Sequence, residues 1–136
     1  MKNKKMKAEV LKNILELHRK WLAKEEGGKR ADLRRVDLGQ ADLRKVNLRF
    51  ADLSHADLRH ADLRHANLSD ADLSHASLNF ADLRKANLSK ADLSDAILSC
   101  ADLGRADLSH ADLSHADLSD ADLSNATFLS TKLSWD

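Results

Sequence analysis

The chain has no proline, no tyrosine and one cysteine, and its 136 residues carry no net charge. A single thiol, Cys100, excludes an internal disulfide framework and fits a reducing compartment. No apolar run approaches the roughly 18 residues of a membrane span. Lys2, Lys4, Lys5 and Lys7 precede no continuous apolar stretch of the kind a secretory signal needs. The expectation is a soluble cytoplasmic protein of single-domain length. A glycine-rich phosphate loop, a zinc motif and a nucleophile–base–orienter set are all missing, so nothing points to an enzyme, a metal centre or a cofactor. The charge balance removes any global bias toward polyanions, yet the charges are not evenly spread. Residues 1–50 hold 15 basic and 7 acidic side chains, a net of +8, and residues 51–136 hold the reverse.

Two regions divide what is present. From about Asn3 to Glu26, Met6, Val10, Ile14, Leu17 and Trp21 recur every three or four positions, and Leu11, Leu15 and Leu22 widen the stripe. That spacing predicts an amphipathic helix. Gly27-Gly28 is expected to end it, because glycine takes the left-handed C-cap conformation without steric cost. Lysines crowd the helix start and Glu25 and Glu26 its end, against the dipole, so tertiary packing of the stripe must stabilise it.

From Ala31 onward the five-residue word Ala-Asp-Leu-X-X repeats almost to the end. On a helix five residues advance by about 500°, and successive leucines would wander round the cylinder. On a flat strand an odd period would send them to opposite faces. A chain that turns a corner every five residues gathers them. With corners near 90°, four words make a square coil of twenty residues with every leucine on the axis, and fixed-period self-similarity is the general mark of a solenoid.

These words, 21 of them over residues 31–135, resemble the pentapeptide repeat family, whose motif is A-(D/N)-L-X-X. Nineteen consecutive words, Ala31 to Asn125, keep leucine third; Phe128 and Leu133 take that slot in the last two. The resemblance implies an all-β solenoid, a right-handed quadrilateral β-helix of about five coils over residues 29–136. Residues 1–28 would form an N-terminal capping helix, with Val10, Ile14, Leu17 and Trp21 packing on the coil end. It also implies an architecture more than an activity. Some members imitate duplex DNA and bind type II topoisomerases such as DNA gyrase, and that is the alternative to a non-enzymatic structural or protein-interaction module. A word this regular is also open to a reading as a consensus or engineered scaffold.

Within the repeat, first and third positions should face inward. Val36 and Val46 replace alanine in the first coil and read as extra apolar bulk beneath the cap. The second-position carboxylates, stacked about 4.8 Å apart, are expected to be hydrogen-bonded groups that the turn requires; the alternative is a metal-binding or anion-mimicking array. Basic and acidic columns should pair across the surface, which argues against direct nucleic-acid binding. Lys29, Arg30, Arg34 and Arg35 are the better phosphate candidates. His55, His75 and His115 share one column and His60 another, but a structural metal site needs ligands converging from several directions, so solvated side chains are expected there. Phe80, Ile97 and Cys100 should form a small exposed apolar island, either a protein contact or drift on a tolerant surface. At the far end Phe128, Leu129, Leu133 and Trp135 are the only closing material, and that end is a candidate homodimer contact.

Overall fold

A computed structural model describes residues 4–134. Each word contributes one short extended step and one turn. The second residue pairs in parallel with the residue twenty positions on: Asp32 with Asp52, Asp52 with Asp72, Asp72 with Asp92 and Asp92 with Asp112. The same twenty-residue pairing holds from Asp37, Asp42 and Asn47 onward, which gives four sides. We number the faces by their first words: face one begins at Ala31, face two at Val36, face three at Ala41 and face four at Val46.

Three backbone bonds per word hold one coil to the next. In the word that begins at Ala51, Asp52 N–H donates to Ala31 C=O at 3.1 Å, Leu53 N–H to Asp72 C=O at 2.7 Å and His55 N–H to Ser74 C=O at 2.9 Å. The third carbonyl closes the corner instead, accepting from the first residue of the next word, as Leu53 C=O does from Ala56 N–H at 3.0 Å. The fifth residue of every word from Arg35 to Ser130 takes a left-handed backbone conformation.

First and third positions do face the axis. Every leucine from Leu33 to Leu113 is at most 2% exposed, and every first-position alanine from Ala51 to Ala111 is equally buried. Each buried leucine contributes roughly 1.5–3 kcal/mol, which lets so charged a sequence form a single narrow core. Beyond Leu113 the cover thins: Leu118 and Leu123 are half-buried and Phe128 and Leu133 are exposed.

The N-terminal end is closed differently from the expectation. Helix α1 spans Ala8–Leu22, shorter than the amphipathic spacing suggests. Before it, β1 (Lys4–Lys5) lies in parallel on β2 (Val36–Asp37), so these residues extend the top of face two rather than the helix. The helix also ends before the glycines. Ala23 caps it, and Lys24, with φ 58°, takes the left-handed position expected of Gly27. Lys24 N–H donates to Trp21 C=O and Glu25 N–H to Lys20 C=O, the paired bonds of a Schellman motif. Gly28 is needed for another reason: a Cβ there would lie 2.4 Å from the Trp21 backbone nitrogen.

Candidate interaction surface

The cap is organised around a residue that sequence reasoning passed over. His18 is fully buried. Its Nδ1 accepts from Ala31 N–H at 3.0 Å, and its Nε2 lies 2.9 Å from Arg49 C=O. Nδ1 is therefore unprotonated and Nε2 carries the hydrogen, so one neutral imidazole ties the helix to the first and fourth words. Burial pushes the imidazole below its ordinary value of 6.5, the bond to Arg49 C=O opposes this, and the Arg30 charge adds to the lowering. His18 stacks on Trp21, whose edge meets Phe50, and the Arg49 guanidinium sits 4.5 Å over the Phe50 ring. A polar residue four positions after Ile14 on an apolar stripe was the available signal.

The packing stripe runs through Leu11, Ile14 and Leu15 with His18, rotated from the expected one. Val10 is 47% exposed and does not pack on the coil end. Ile14 packs against the core, Leu17 is half-buried, and Trp21 is partly exposed above His18. The rotation follows from His18, which points into the coil and sets the helix face.

The second-position side chains serve the turns. In words that pair a second-position Asp or Asn with a fourth-position serine, the carboxylate or amide oxygen accepts the serine's backbone N–H, as Asp72 Oδ1 does from Ser74 N–H at 2.9 Å. Where the word has aspartate second and arginine fourth, the guanidinium closes on the same group. Arg34, Arg44, Arg59, Arg64 and Arg84 each donate through Nε and Nη2 to the aspartate of their own word. On face three every such arginine also approaches the next coil's aspartate: Arg44–Asp62 at 3.7 Å, Arg64–Asp82 at 3.6 Å and Arg84–Asp102 at 3.5 Å. The hydrogen bond from Arg34 holds Asp32 down at about 2, and that from Arg44 does the same for Asp42. Gly104 replaces the next arginine and ends the ladder.

The histidine columns pack as stacked rings. His55 lies on His75 with centroids 4.7 Å apart, and His75 Nε2 is 3.8 Å from Asp95. His60 stacks on Phe80 at 5.0 Å. Among the described residues, no three His, Cys, Asp or Glu side chains converge as a metal site. Of the basic cluster, Arg34 is taken by Asp32 and Asp52, and Arg30 Nε donates to Phe50 C=O at 2.6 Å.

Face two is where the repeat loses its charge. The words of residues 76–80 and 96–100, ASLNF and AILSC, contain no charged side chain. Their backbones are neighbours: Ser77 pairs with Ile97, and Phe80 N–H donates to Ser99 C=O at 3.1 Å. Asn79 Nδ2 donates to Ser99 Oγ at 2.6 Å, so the polar groups there satisfy each other. Phe80 is 56% exposed, Ile97 39%, and Cys100 is exposed. The structure thus brings the three island residues onto adjacent rungs, with His60 extending the ring stack above them. At the other candidate contact, Phe128, Leu129 and Leu133 are exposed, Leu129 most of all, while Trp135 lies outside the described residues.

The model of the pentapeptide repeats family matches residues 31–70, 61–99 and 101–135, with eight copies of the repeat unit. The chain belongs to the pentapeptide repeat family. Among solved structures, the pentapeptide repeat protein Rfr23 from the cyanobacterium Cyanothece 51142 is 32% identical, with a TM-score of 0.59; the match covers 76% of this chain and 66% of that one. HetL from Nostoc sp. strain PCC 7120, a pentapeptide repeat protein involved in heterocyst differentiation regulation, is 34% identical over 73% of this chain and 58% of that one, with a TM-score of 0.46. The plasmid-mediated fluoroquinolone resistance protein QnrB1 is 23% identical over 77% and 66%, with a TM-score of 0.47. The last two superpose too loosely to carry an argument. The chain thus spans less than two thirds of the length of these relatives. No curated protein matches it. No helix among the described residues is long and apolar enough to cross a membrane.

Proposed function

We propose that the chain is a non-catalytic interaction rod: a right-handed stack of about five coils, capped by α1, that meets a protein partner through the neutral window on face two. The observation that carries this reading is the pair of adjacent charge-free words that expose Phe80, Ile97 and Cys100 on a rod whose other words, apart from residues 126–130, each carry an ionisable group. An apolar patch bordered by charge is the usual anatomy of a contact site. A rigid parallel ladder holds such a patch without ordering cost when a partner arrives. The location implied is the cytoplasm, which the exposed free thiol of Cys100 supports.

The test uses the repeat's own vocabulary. Phe80→His, Ile97→Asp and Cys100→His restore residues that other words carry at these slots, so the triple variant keeps the fold. A partner captured from the native host by the parent protein should be lost by the triple variant at unchanged melting temperature. Equal capture by both proteins would remove face two from the proposal.

Imitation of duplex DNA toward a type II topoisomerase needs an uncompensated anionic surface. Here five arginines neutralise carboxylates of their own words, and the face-three ladder alternates in sign. We therefore expect no inhibition or protection in a gyrase supercoiling assay, even with the protein well above the enzyme concentration; clear inhibition would favour the mimicry reading instead. A homodimer through Phe128, Leu129 and Leu133 is a second proposed contact, supported by their exposure. Leu129→Asp should abolish any dimer seen by sedimentation, and a dimer that persists would place the contact elsewhere.

A further inference from the structure

The N-terminal end carries a groove of about 990 Å³ between α1 and the first coil. One wall is Leu11 and Leu15 of the helix; the other is Leu38, Ala41 and Val46. Cover of the first coil is incomplete here. Ala41 and Val46 remain half-buried, whereas their counterparts one coil on, Ala61 and Ala66, are 1% exposed.

The coil edge beside the groove is also unpaired. On face two, β1 supplies the missing strand, and Met6 N–H donates to Asp37 C=O at 2.9 Å. The chain then turns into α1 and leaves the edge. On face three the N–H and C=O of Asp42 and the C=O of Arg44 have no partner among the described residues, and neither do the N–H and C=O of Asn47 on face four. One coil further in, the same groups are all bonded: Asp62 N–H to Ala41 C=O, Leu43 N–H to Asp62 C=O, and Lys45 N–H to Arg64 C=O. An open strand edge facing an amphipathic helix across an apolar groove is the geometry of strand addition.

We propose that this groove binds an extended, acidic peptide segment of a partner protein, which continues the β1 pairing along face three. The internal coils dictate the register. A carbonyl of the segment accepts from Asp42 N–H, and the N–H two residues on donates to Asp42 C=O. Residues bearing these two groups occupy first and third positions of a word, so their side chains face the groove and must be apolar. The residue between them faces outward. The charge preference comes from Lys12. Lys5, Arg19, Glu16 and Asp42 on the groove rim are all engaged in ion pairs, while Lys12 has no such partner among the described residues.

The proposal rests on the interaction-rod reading but names a different surface from the face-two window, so the two can fail separately. The probe is the blocked hexapeptide Val-Glu-Val-Glu-Val-Glu, titrated into the ¹⁵N-labelled full chain. Expected are saturable amide shifts centred on Asp42, with Phe80 and Ile97 unmoved. Methylating the second valine nitrogen should abolish binding, because that N–H makes the edge bond to Asp42 C=O. Lys12→Glu should weaken it by about twofold to fivefold, the range of an exposed ion pair, and this exposed helix position leaves the fold intact. The idea is overturned by the absence of saturable shifts at millimolar peptide, by equal binding of Val-Lys-Val-Lys-Val-Lys, or by equal binding of the N-methylated peptide. It is also overturned if the free protein sediments as a dimer with Asp42 N–H already protected from exchange, which would assign the groove to a second copy.

Discussion

At every fifth position from Arg35 to Ser130 the backbone φ lies between 55° and 65°. This region is costly for residues with a side chain, and Asn, Asp and His tolerate it best. Half of the twenty residues are of those three types, six of them histidine. The histidine columns thus follow from backbone conformation, and the enrichment was visible in the sequence before any coordinates. Glycine relieves about 1–2 kcal/mol of left-handed strain and gives back roughly 0.5–1 kcal/mol of chain entropy. Lys85→Gly should therefore raise the melting temperature by a few degrees, and Lys85→Val, β-branched at positive φ, should lower it. Thermal unfolding of the two variants decides this; a destabilised glycine variant would contradict it.

His18 adds a pH dependence at the same scale. Its folded value lies below 6.5, so its contribution to stability is complete above about pH 6.5 and is lost as pH falls through the lowered folded value. A protonated Nδ1 would face Ala31 N–H with a hydrogen of its own, close to the Arg30 charge. The aspartates act lower: Asp32 and Asp42, held at about 2 against 3.8, contribute above about pH 4 and lose that contribution as pH falls toward 2. Trp21 fluorescence between pH 7 and 5 should report loosening of the cap in the parent protein and a flat trace in His18→Gln. Identical traces would remove His18 as the cause.

Among the elements, α1 shows where sequence and structure part. The apolar spacing was legible, but the boundaries and the facing side were not. Lys4 and Lys5 belong to a strand because an open coil edge offers hydrogen bonds, a tertiary opportunity with no local signature. Val10 lost its place on the packing face to His18, a polar residue that hydropathy periodicity discounts. Gly27-Gly28 did mark the end region, yet the reason lies in Gly28, which must pass beside the Trp21 backbone. Gly28→Ala should therefore loosen the cap and cost more than about 1 kcal/mol, the lower range for overpacking. Hydrogen exchange should show the loss confined to α1 and the first coil. A variant as stable as the parent would mean the close approach relaxes freely.

For the molecule as a whole, the repeat made the core almost fully legible: the alanine and leucine slots of the words are the buried positions as far as Leu113. The unpaired groups at the coil end were not legible, since they depend on where the helix leaves the ladder. The molecule also carries opposite charges toward its two ends, +8 over residues 1–50 and −8 over the remainder. Head-to-tail association at low ionic strength is the expected consequence, weakened once salt shortens the screening length to about 8 Å. Sedimentation at 10 mM and 300 mM salt should show this, and a monomer under both conditions would reject it.

The central claim is the twenty-residue parallel ladder, because the faces, the window and the open edge all follow from it. Backbone NOEs across face two test it most directly, since Ser77, Ile97 and Asp117 occupy successive rungs of one column. The account predicts inter-strand contacts linking Ser77 to Ile97 and Ile97 to Asp117. Contacts at three- or four-residue helical spacing through the repeats, or none between residues twenty apart, would contradict it.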